Sequence, residues 1–418
     1  MEKALLVAVQ MRSERTDWPI EEQSYELQEL AVTSGAQVLD TVNLTCQKPT
    51  PNLYIGKGQV EELALAARAA GAGTVIFGRE LSGTQQRNLE EVMCMKTNDR
   101  TQLILDIFAR HARSPEGKMQ VELAQLEYLL PRLVGKGIIL SRLGGGIGTR
   151  GPGETKLEVD RRRIRARIEK LKSDLRDISV HRSTIRKKRV ENRVASIALV
   201  GYTNAGKSTL LNALTSAGTQ VSDGLFTTLD PLSKALLLPN GDHAVLTDTV
   251  GFIHDLPHHL VESFKATLEE VRESDLLLHV IDVSHPRIYA VRDAVLEVLG
   301  QLSCREKPLI TVLNKIDTSD DAAWLGRLAE DFPNPVAVSA RTGLHLDRLL
   351  SLIQENFKDR MLECTLFLPH GRMEIVDLCY REGSVASVDY GAEGITVRAN
   401  LPKLLRTKLM NDKEIRLT

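Results

Sequence analysis

Aromatic residues are scarce, with two Trp, seven Tyr and eight Phe making up 4% of 418 residues. The cores must therefore be built mainly from Leu, Val, Ile and Ala. Cysteine is scarcer still: Cys46, Cys94, Cys304, Cys364 and Cys379 are scattered, odd in number and form no CxxC pair. That argues against a disulfide framework or a zinc site and for reduced thiols in a cytosolic protein. No stretch approaches the ~18 consecutive apolar residues that a bilayer-spanning helix needs. Met1 to Gln10 has no basic region before its short apolar run and no small-residue cleavage site after it, so it reads as a first strand. An excess of one charge is also missing, since the formal net charge is −1.

That near-zero total hides an asymmetry. Between Arg132 and Arg193 there are 19 Lys or Arg against 7 Asp or Glu, while the remainder carries 35 against 48. A basic block on an otherwise acidic chain suits a nucleic-acid contact, where neutralised phosphates release counterions. A solvated helix face accounts for the same composition. With 42% hydrophobic and 26% charged residues the chain is globular in type, and its length predicts two to four domains.

The first hundred residues alternate between strand and helix periods. Strands are predicted at Ala4 to Val9, Gln37 to Leu44, Thr74 to Phe77 and Leu103 to Phe108. Helices are predicted at Glu21 to Ser34, Gln59 to Ala70 and Thr84 to Met93. This is the pattern of an α/β domain with a mainly parallel sheet, and nothing in it resembles a catalytic constellation. The period then changes. Met119, Leu123, Leu126, Leu130 and Leu133 are spaced 4, 3, 4, 3, as are Ile164, Ile168, Leu171, Leu175 and Ile178. Two heptad seams about a loop apart predict an antiparallel helical hairpin, with Pro131 kinking or ending its first helix. The second helix, about Leu157 to Lys188, carries most of the basic block. The connecting loop, Gly144 to Glu154, holds six glycines. Its GxGxxG match at Gly146, Gly148 and Gly151 lacks the βαβ unit that a dinucleotide site requires. A glycine-rich tip on a stiff basic hairpin suits a probe reaching into a narrow charged place, or a tip that touches nothing. From Ala195 to about Phe357 the α/β alternation returns. After Met361 come strands near Thr365 to Leu368, Ser384 to Asp389 and Gly394 to Arg398, with helices near Glu374 and Leu404. The predicted division is 1–115, 116–193 with its tip at 144–154, 194–360 and 361–418, the last a small α+β domain.

The 194–360 segment carries the chemistry. A strand-like run at Ser196 to Val200 leads into Gly201-Tyr202-Thr203-Asn204-Ala205-Gly206-Lys207-Ser208-Thr209 and then a helix. The glycines let backbone N–H groups curl inward onto phosphate oxygens, and the helix adds its positive end. In such a loop Lys207 reaches the β- and γ-phosphates and the Ser208 hydroxyl ligates Mg²⁺. Asn314-Lys315-Ile316-Asp317 follows a strand at Leu309 to Leu313. The Asp317 carboxylate can accept from guanine N1–H and its 2-amino group, donors that adenine lacks. Asn314 would brace the base and the phosphate loop, the Lys315 stem would cover the ring, and Ser339, Ala340 and Arg341 would lie near guanine O6. Asp248-Thr249-Val250-Gly251 follows the strand Ala244 to Thr247, so that Asp248 would hold Mg²⁺ through water and the Gly251 amide would sense the γ-phosphate. Phe226-Thr227-Thr228-Leu229-Asp230 supplies Thr228 to close over metal and γ-phosphate. Loss of that phosphate would release both segments, which makes an order–disorder switch. Lys207, Thr228 and Gly251 are thus the candidate catalytic groups. Ras-like GTPases place a water-orienting Gln after the third motif, but here the residue is Phe252, so intrinsic hydrolysis should be slow.

With these motifs in this order the chain resembles the HflX family of GTPases, in the Obg-related branch of the P-loop class. The resemblance runs nearly the whole length. It rests on Asn52-Leu53-Tyr54-Ile55-Gly56-Lys57-Gly58, on Gly144 to Glu154 with Thr155-Lys156-Leu157-Glu158, and on Gly224-Leu225-Phe226-Thr227-Thr228-Leu229-Asp230-Pro231. Thr227 departs from the usual Ala, and the hydrophobic Phe252 is shared. The resemblance implies a bacterial cytoplasmic GTPase that binds the large ribosomal subunit and its rRNA. It implies that the GTP form dissociates stalled or inactive ribosomes, particularly under heat stress, and that the ribosome stimulates hydrolysis. The α/β domain and hairpin would reach toward the peptidyl-transferase region, with Arg142, Arg150, Lys156, Arg161, Arg162, Arg163 and Arg165 as the RNA contacts. Many members lack an extended C-terminal domain, which this chain has. Two other readings stay open: a GTP-gated rRNA-binding factor that occludes the subunit, and an NTP-driven RNA remodeller acting elsewhere. No heptad seam is left over for a partner helix, so a monomer is expected.

Overall fold

The computed structural model describes residues 2–13, 18–133, 152–191, 194–215, 224–226, 228–255, 257, 260, 265–319, 321–358, 361–410, 412 and 415–417. Arg142, Arg150, Thr227 and positions 144–151 of the glycine tip lie outside the described residues, as does the side chain of Lys156.

β1 (Lys3–Met11), β2 (Gln37–Cys46), β3 (Thr74–Phe77) and β4 (Lys96–Asp99) form an all-parallel sheet in the order β2-β1-β3-β4. The strands are joined through α1 (Ile20–Thr33), α2 (Lys57–Ala70) and α3 (Gly83–Met93), and α4 (Arg100–His111) follows β4. β1 reads as a continuous apolar run because both its faces are covered. Ala4 and Leu6 pack with Leu27, Leu30 and Phe108, while Leu5, Val7 and Val9 pack with Val60, Leu63 and Leu89.

One expectation is corrected. Leu103 to Phe108 is not a strand but the middle of α4. A short apolar run has the same appearance in a buried strand and a buried helix. The Asp99 side chain decides it locally by accepting the Gln102 N–H at 2.9 Å as an N-cap. Leu103, Ile104, Leu105, Ile107 and Phe108 are all buried, so no two-residue alternation survives. The fourth strand is the polar Lys96–Asp99, which has no apolar pattern to reveal it.

α5 (Pro115–Arg132) and α6 (Pro152–Glu191) form the hairpin. Leu123, Ile168 and Leu171 are buried in its seam, flanked by Met119, Leu126, Leu130, Ile164 and Leu175. Leu133 and Ile178 are half-buried outside that cluster. Pro131 falls in the last turn of α5, where it ends the helix. Glu116 pairs with Arg182 and Glu127 with Lys172, so the second helix runs back along the first. Arg167 forks onto Glu122 with bonds of 2.6 and 2.7 Å.

The next sheet contains β5 (Ala195–Gly201), β6 (Leu232–Leu237), β7 (His243–Asp248), β8 (Leu276–Asp282), β9 (Leu309–Asn314) and β10 (Pro335–Ala337), in the order β10-β9-β8-β5-β7-β6. All neighbours are parallel except β6 with β7. Among the described residues its helices are α7 (Lys207–Thr215), α8 (Lys265–Glu273), α9 (Ile288–Gln301), α10 (Ala322–Glu330) and α11 (Leu346–Lys358). Four of the motifs leave the carboxyl ends of β5, β7, β9 and β10, where open α/β sheets bind ligands, and the motif at 226–230 lies just before β6. One apolar core joins this sheet to the N-terminal one: Trp18, Phe108, Val121 and Tyr128 share it with Phe226, Leu229, Phe252 and Ile253.

The tail is β11 (Met361–Leu368), α12 (Met373–Glu382), β12 (Ser384–Tyr390), β13 (Ile395–Pro402), α13 (Lys403–Met410) and the unforeseen β14 (Arg416–Leu417). Its antiparallel order, β12-β13-β11-β14, is the ferredoxin-like βαββαβ arrangement, with a core of its own built on Leu366, Val376, Cys379 and Val397.

Candidate nucleotide site

A cavity of about 450 Å³ opens where the phosphate loop meets the ends of β7 and β9. Thr203, Asn204, Gly206, Lys207, Ser208, Thr209, Phe226, Thr228, Thr249, Gly251, Asn314, Lys315, Asp317, Ala340 and Arg341 line it. Segments more than a hundred residues apart in sequence thus share one wall. Gly224 and Thr318 also line it and were not foreseen.

Two glycines are required by space. A Cβ at Gly206, where φ is +91°, would lie 2.3 Å from Asn314 Nδ2. A Cβ at Gly251 would lie 2.8 Å from Thr203 Cγ2 and 3.1 Å from Lys207 Nζ. The third motif therefore rests directly against the phosphate loop. Phe252 holds it there, donating its N–H to Gly201 O at 3.0 Å and accepting the Thr203 N–H at 2.8 Å.

Lys207 is buried, its ammonium donating to the carbonyls of Gly201 (3.1 Å) and Tyr202 (2.8 Å). Burial pulls its pKa down to about 8, and the nearby Asp248 carboxylate only partly offsets that. Ser208 Oγ donates to Asp248 Oδ2 at 2.6 Å and lies 2.8 Å from Thr228 Oγ1. Burial raises the Asp248 pKa, and its Oδ1 is buried with no hydrogen-bond partner among the described residues. Two hydroxyls and a carboxylate with a spare buried oxygen form an all-oxygen donor set, which fits a hard cation such as Mg²⁺.

At the other end of the cavity Asn314 Nδ2 donates to Ala205 O at 2.9 Å, and the Ala340 N–H donates to Asn314 Oδ1 at 3.0 Å. Ser339 Oγ donates to Asp317 Oδ1 at 2.6 Å and so aims that carboxylate. Lys315 Nζ lies 2.6 Å from Asp282 Oδ2, a partner the motif alone does not disclose.

Several predicted site residues do not face the cavity. The Tyr202 ring turns to Trp18, 6.1 Å away between centroids. Leu229, Val250 and Phe252 are core residues, Phe252 only 1% exposed, so its side chain cannot approach an attacking water. Gly201 and Ala205 contribute backbone only. Asp230, expected at the nucleotide, instead accepts the N–H groups of Arg113 and Ser114 at 2.8 Å each and the Ser114 hydroxyl at 2.5 Å. These amides belong to the two residues that lead into α5, and the Asp230 carboxylate satisfies them. On α6, Arg162, Arg163 and Arg165 are exposed and Arg161 half-buried.

The parallel sheet, the glycine loop on buried Lys207, the converging hydroxyl–carboxylate group and the braced Asp317 define a P-loop GTPase. Three family descriptions match in succession: GTP-binding GTPase N-terminal over residues 21–109, GTP-binding GTPase middle region over 111–189, and 50S ribosome-binding GTPase over 196–315. GTPase HflX of Caldanaerobacter subterraneus subsp. tengcongensis is 48% identical over 98% of this chain and 93% of its own. GTPase HflX of Escherichia coli is 44% identical over 82% of this chain and 81% of its own. The chain belongs to the HflX family of GTPases, ribosome-associated enzymes that hydrolyse GTP. Among solved structures, a GTP-binding protein from Sulfolobus solfataricus in complex with GDP is 25% identical over 85% of this chain and 98% of that one, with a TM-score of 0.44. Among the described residues no helix is long and apolar enough to cross a membrane.

Proposed function

We propose that this GTPase is a cytoplasmic monomer that binds the large ribosomal subunit and, in its GTP state, dissociates stalled or inactive ribosomes, with hydrolysis stimulated by the ribosome and used for release. Its working parts are 1–115, the hairpin 116–193, the nucleotide-binding 194–360 and the appended 361–418. Lys207 and the loop Gly201 to Thr209 hold the phosphates, Ser208 and Thr228 hold Mg²⁺ with Asp248 behind a water, and Asp317 with Ser339 to Arg341 selects guanine. When bound, the metal neutralises charge on the β- and γ-phosphate oxygens.

The observation that carries this reading is Asp230. Two residues beyond Thr228, it holds Arg113 and Ser114, which lead into α5, whose partner helix α6 presents Arg162, Arg163 and Arg165 outward. Movement of Thr228 with the γ-phosphate is thereby passed to the base of a basic hairpin, and phosphate contacts along α6, with Arg142, Arg150, Lys156 and Arg161 added, place that hairpin on rRNA. The burial of Phe252 favours a second reading in the same setting, a GTP-gated occluding factor whose slow hydrolysis only times its stay.

The test is GTP turnover with and without large subunits, for the full chain and for one shortened at 144–154. Acceleration by the subunit that drops with the shortened tip is the expected result, and no acceleration overturns the reading. Ribosome splitting with a non-hydrolysable GTP analogue then separates the two. Splitting predicts one round and trapping on the subunit, whereas occlusion predicts undiminished activity.

A further inference from the structure

A buried charged network centred on Arg100 lies beside the nucleotide motifs and bridges the N-terminal and nucleotide-binding sheets. Arg100, at the start of α4, is 7% exposed. Its guanidinium donates to the carbonyls of His254 and, at 2.8 Å, Asp255, the third and fourth residues after Gly251. The same group pairs with Glu26 of α1 at 2.5 Å. The other oxygen of Glu26 accepts the hydroxyl of Tyr202, from the phosphate loop, and that hydroxyl accepts the His254 N–H at 2.9 Å. Trp18 covers the His254 ring with centroids 4.5 Å apart, and Arg79 pairs with the Asp255 carboxylate at 3.2 Å.

We infer that Arg100, held by Glu26, which Tyr202 engages in turn, is a positioning residue for GTP hydrolysis that fixes the chain just beyond Gly251 against the phosphate loop. The inference rests on the proposed role of the Gly251 amide as γ-phosphate sensor. Here one guanidinium takes two successive main-chain carbonyls, and Tyr202 takes the amide between Ile253 and His254, so the path of the backbone itself is set. A guanidinium suits this because its planar fork addresses a carboxylate and two carbonyls at once, which a lysine ammonium cannot do in one geometry. Burial raises the pKa of Glu26, with Arg100 as the chief influence holding it down, so the pair is coupled. The network coexists with Thr228 drawn up to Ser208 and Asp248. By linkage, contacts that favour the closed segment favour the nucleotide that needs it closed.

The test uses Arg100→Met combined with Glu26→Gln, which avoids stranding a buried carboxylate, alongside Arg100→Lys and Gly251→Ala. GDP affinity, affinity for a non-hydrolysable GTP analogue and the single-turnover rate are measured, with a melting curve for folding. In the double variant GDP affinity stays within about twofold, while the preference for the GTP analogue and the rate each fall about tenfold, the loss of roughly one charge-assisted hydrogen bond. Arg100→Lys falls in between. A cooperatively melting double variant with unchanged or raised rate and unchanged preference overturns the inference. If the double variant does not fold, Arg100→Lys at the full rate does the same. If Gly251→Ala retains the preference, the sensor role itself fails; if it loses it and the Arg100 variants do not, only the present inference fails.

Discussion

Lys207 illustrates how a residue's surroundings write a pH dependence. Its pKa stands near 8 rather than the ordinary 10.5 because burial penalises the ammonium. In the free protein this group binds fewer protons than in the unfolded chain between those two values, so its contribution to stability rises with pH across that window. Nucleotide binding has the opposite sign, because a phosphate against Nζ favours the charged form and takes up a proton. Affinity for GDP should be flat below pH 8 and fall above it, by up to about tenfold per pH unit, while Lys207→Arg should stay flat to pH 9. Titrating a fluorescent GDP analogue from pH 7 to 9 checks this; a flat wild-type profile would contradict it. Lys207 was legible because a glycine-flanked Lys-Ser after a strand has few other uses. Asp282, which engages Lys315, and Arg100, which engages the chain after Gly251, were not, since each stands at the end of an element and acquires its role from a distant partner.

At the level of elements, heptad spacing named the hairpin, and its seam is the part most sensitive to truncation. Leu171 is wholly buried between the helices. Leu171→Ala removes that contact and leaves a cavity, a loss of about 2–4 kcal/mol. It should show as faster amide exchange along α5 and α6 with little change in the six-stranded sheet; equal protection in the variant and the parent protein would mean the seam does not hold the hairpin. The misjudged segment at Leu103 to Phe108 has a similar lesson. Five buried apolar residues around Asp106 carry no strand period, and the Asp99 cap and the packing on Trp18 and Phe226 make them helical.

For the molecule as a whole, the division of cores matters most. The ferredoxin-like tail keeps its core to itself, whereas Phe108, Phe226 and Phe252 sit in one core shared by the N-terminal and nucleotide-binding sheets. Ending the chain after Lys358 should therefore leave intrinsic GTP turnover within about twofold, since independent sites do not couple. A large fall in turnover, measured by phosphate release, would show that the tail supports the site.

The sequence by itself determined the alternation of most elements, the five nucleotide motifs and the basic hairpin, because each is written in a local period or a fixed spacing that elementary geometry can read. Tertiary structure alone decided that Phe252 is buried, that Asp230 binds the residues leading into a helix of the hairpin rather than facing the nucleotide, and that Arg100 and Glu26, on helices of the N-terminal domain, reach the segment after Gly251. Those facts depend on which surfaces meet when separate sheets bury a common apolar face, and no spacing along the chain encodes that meeting.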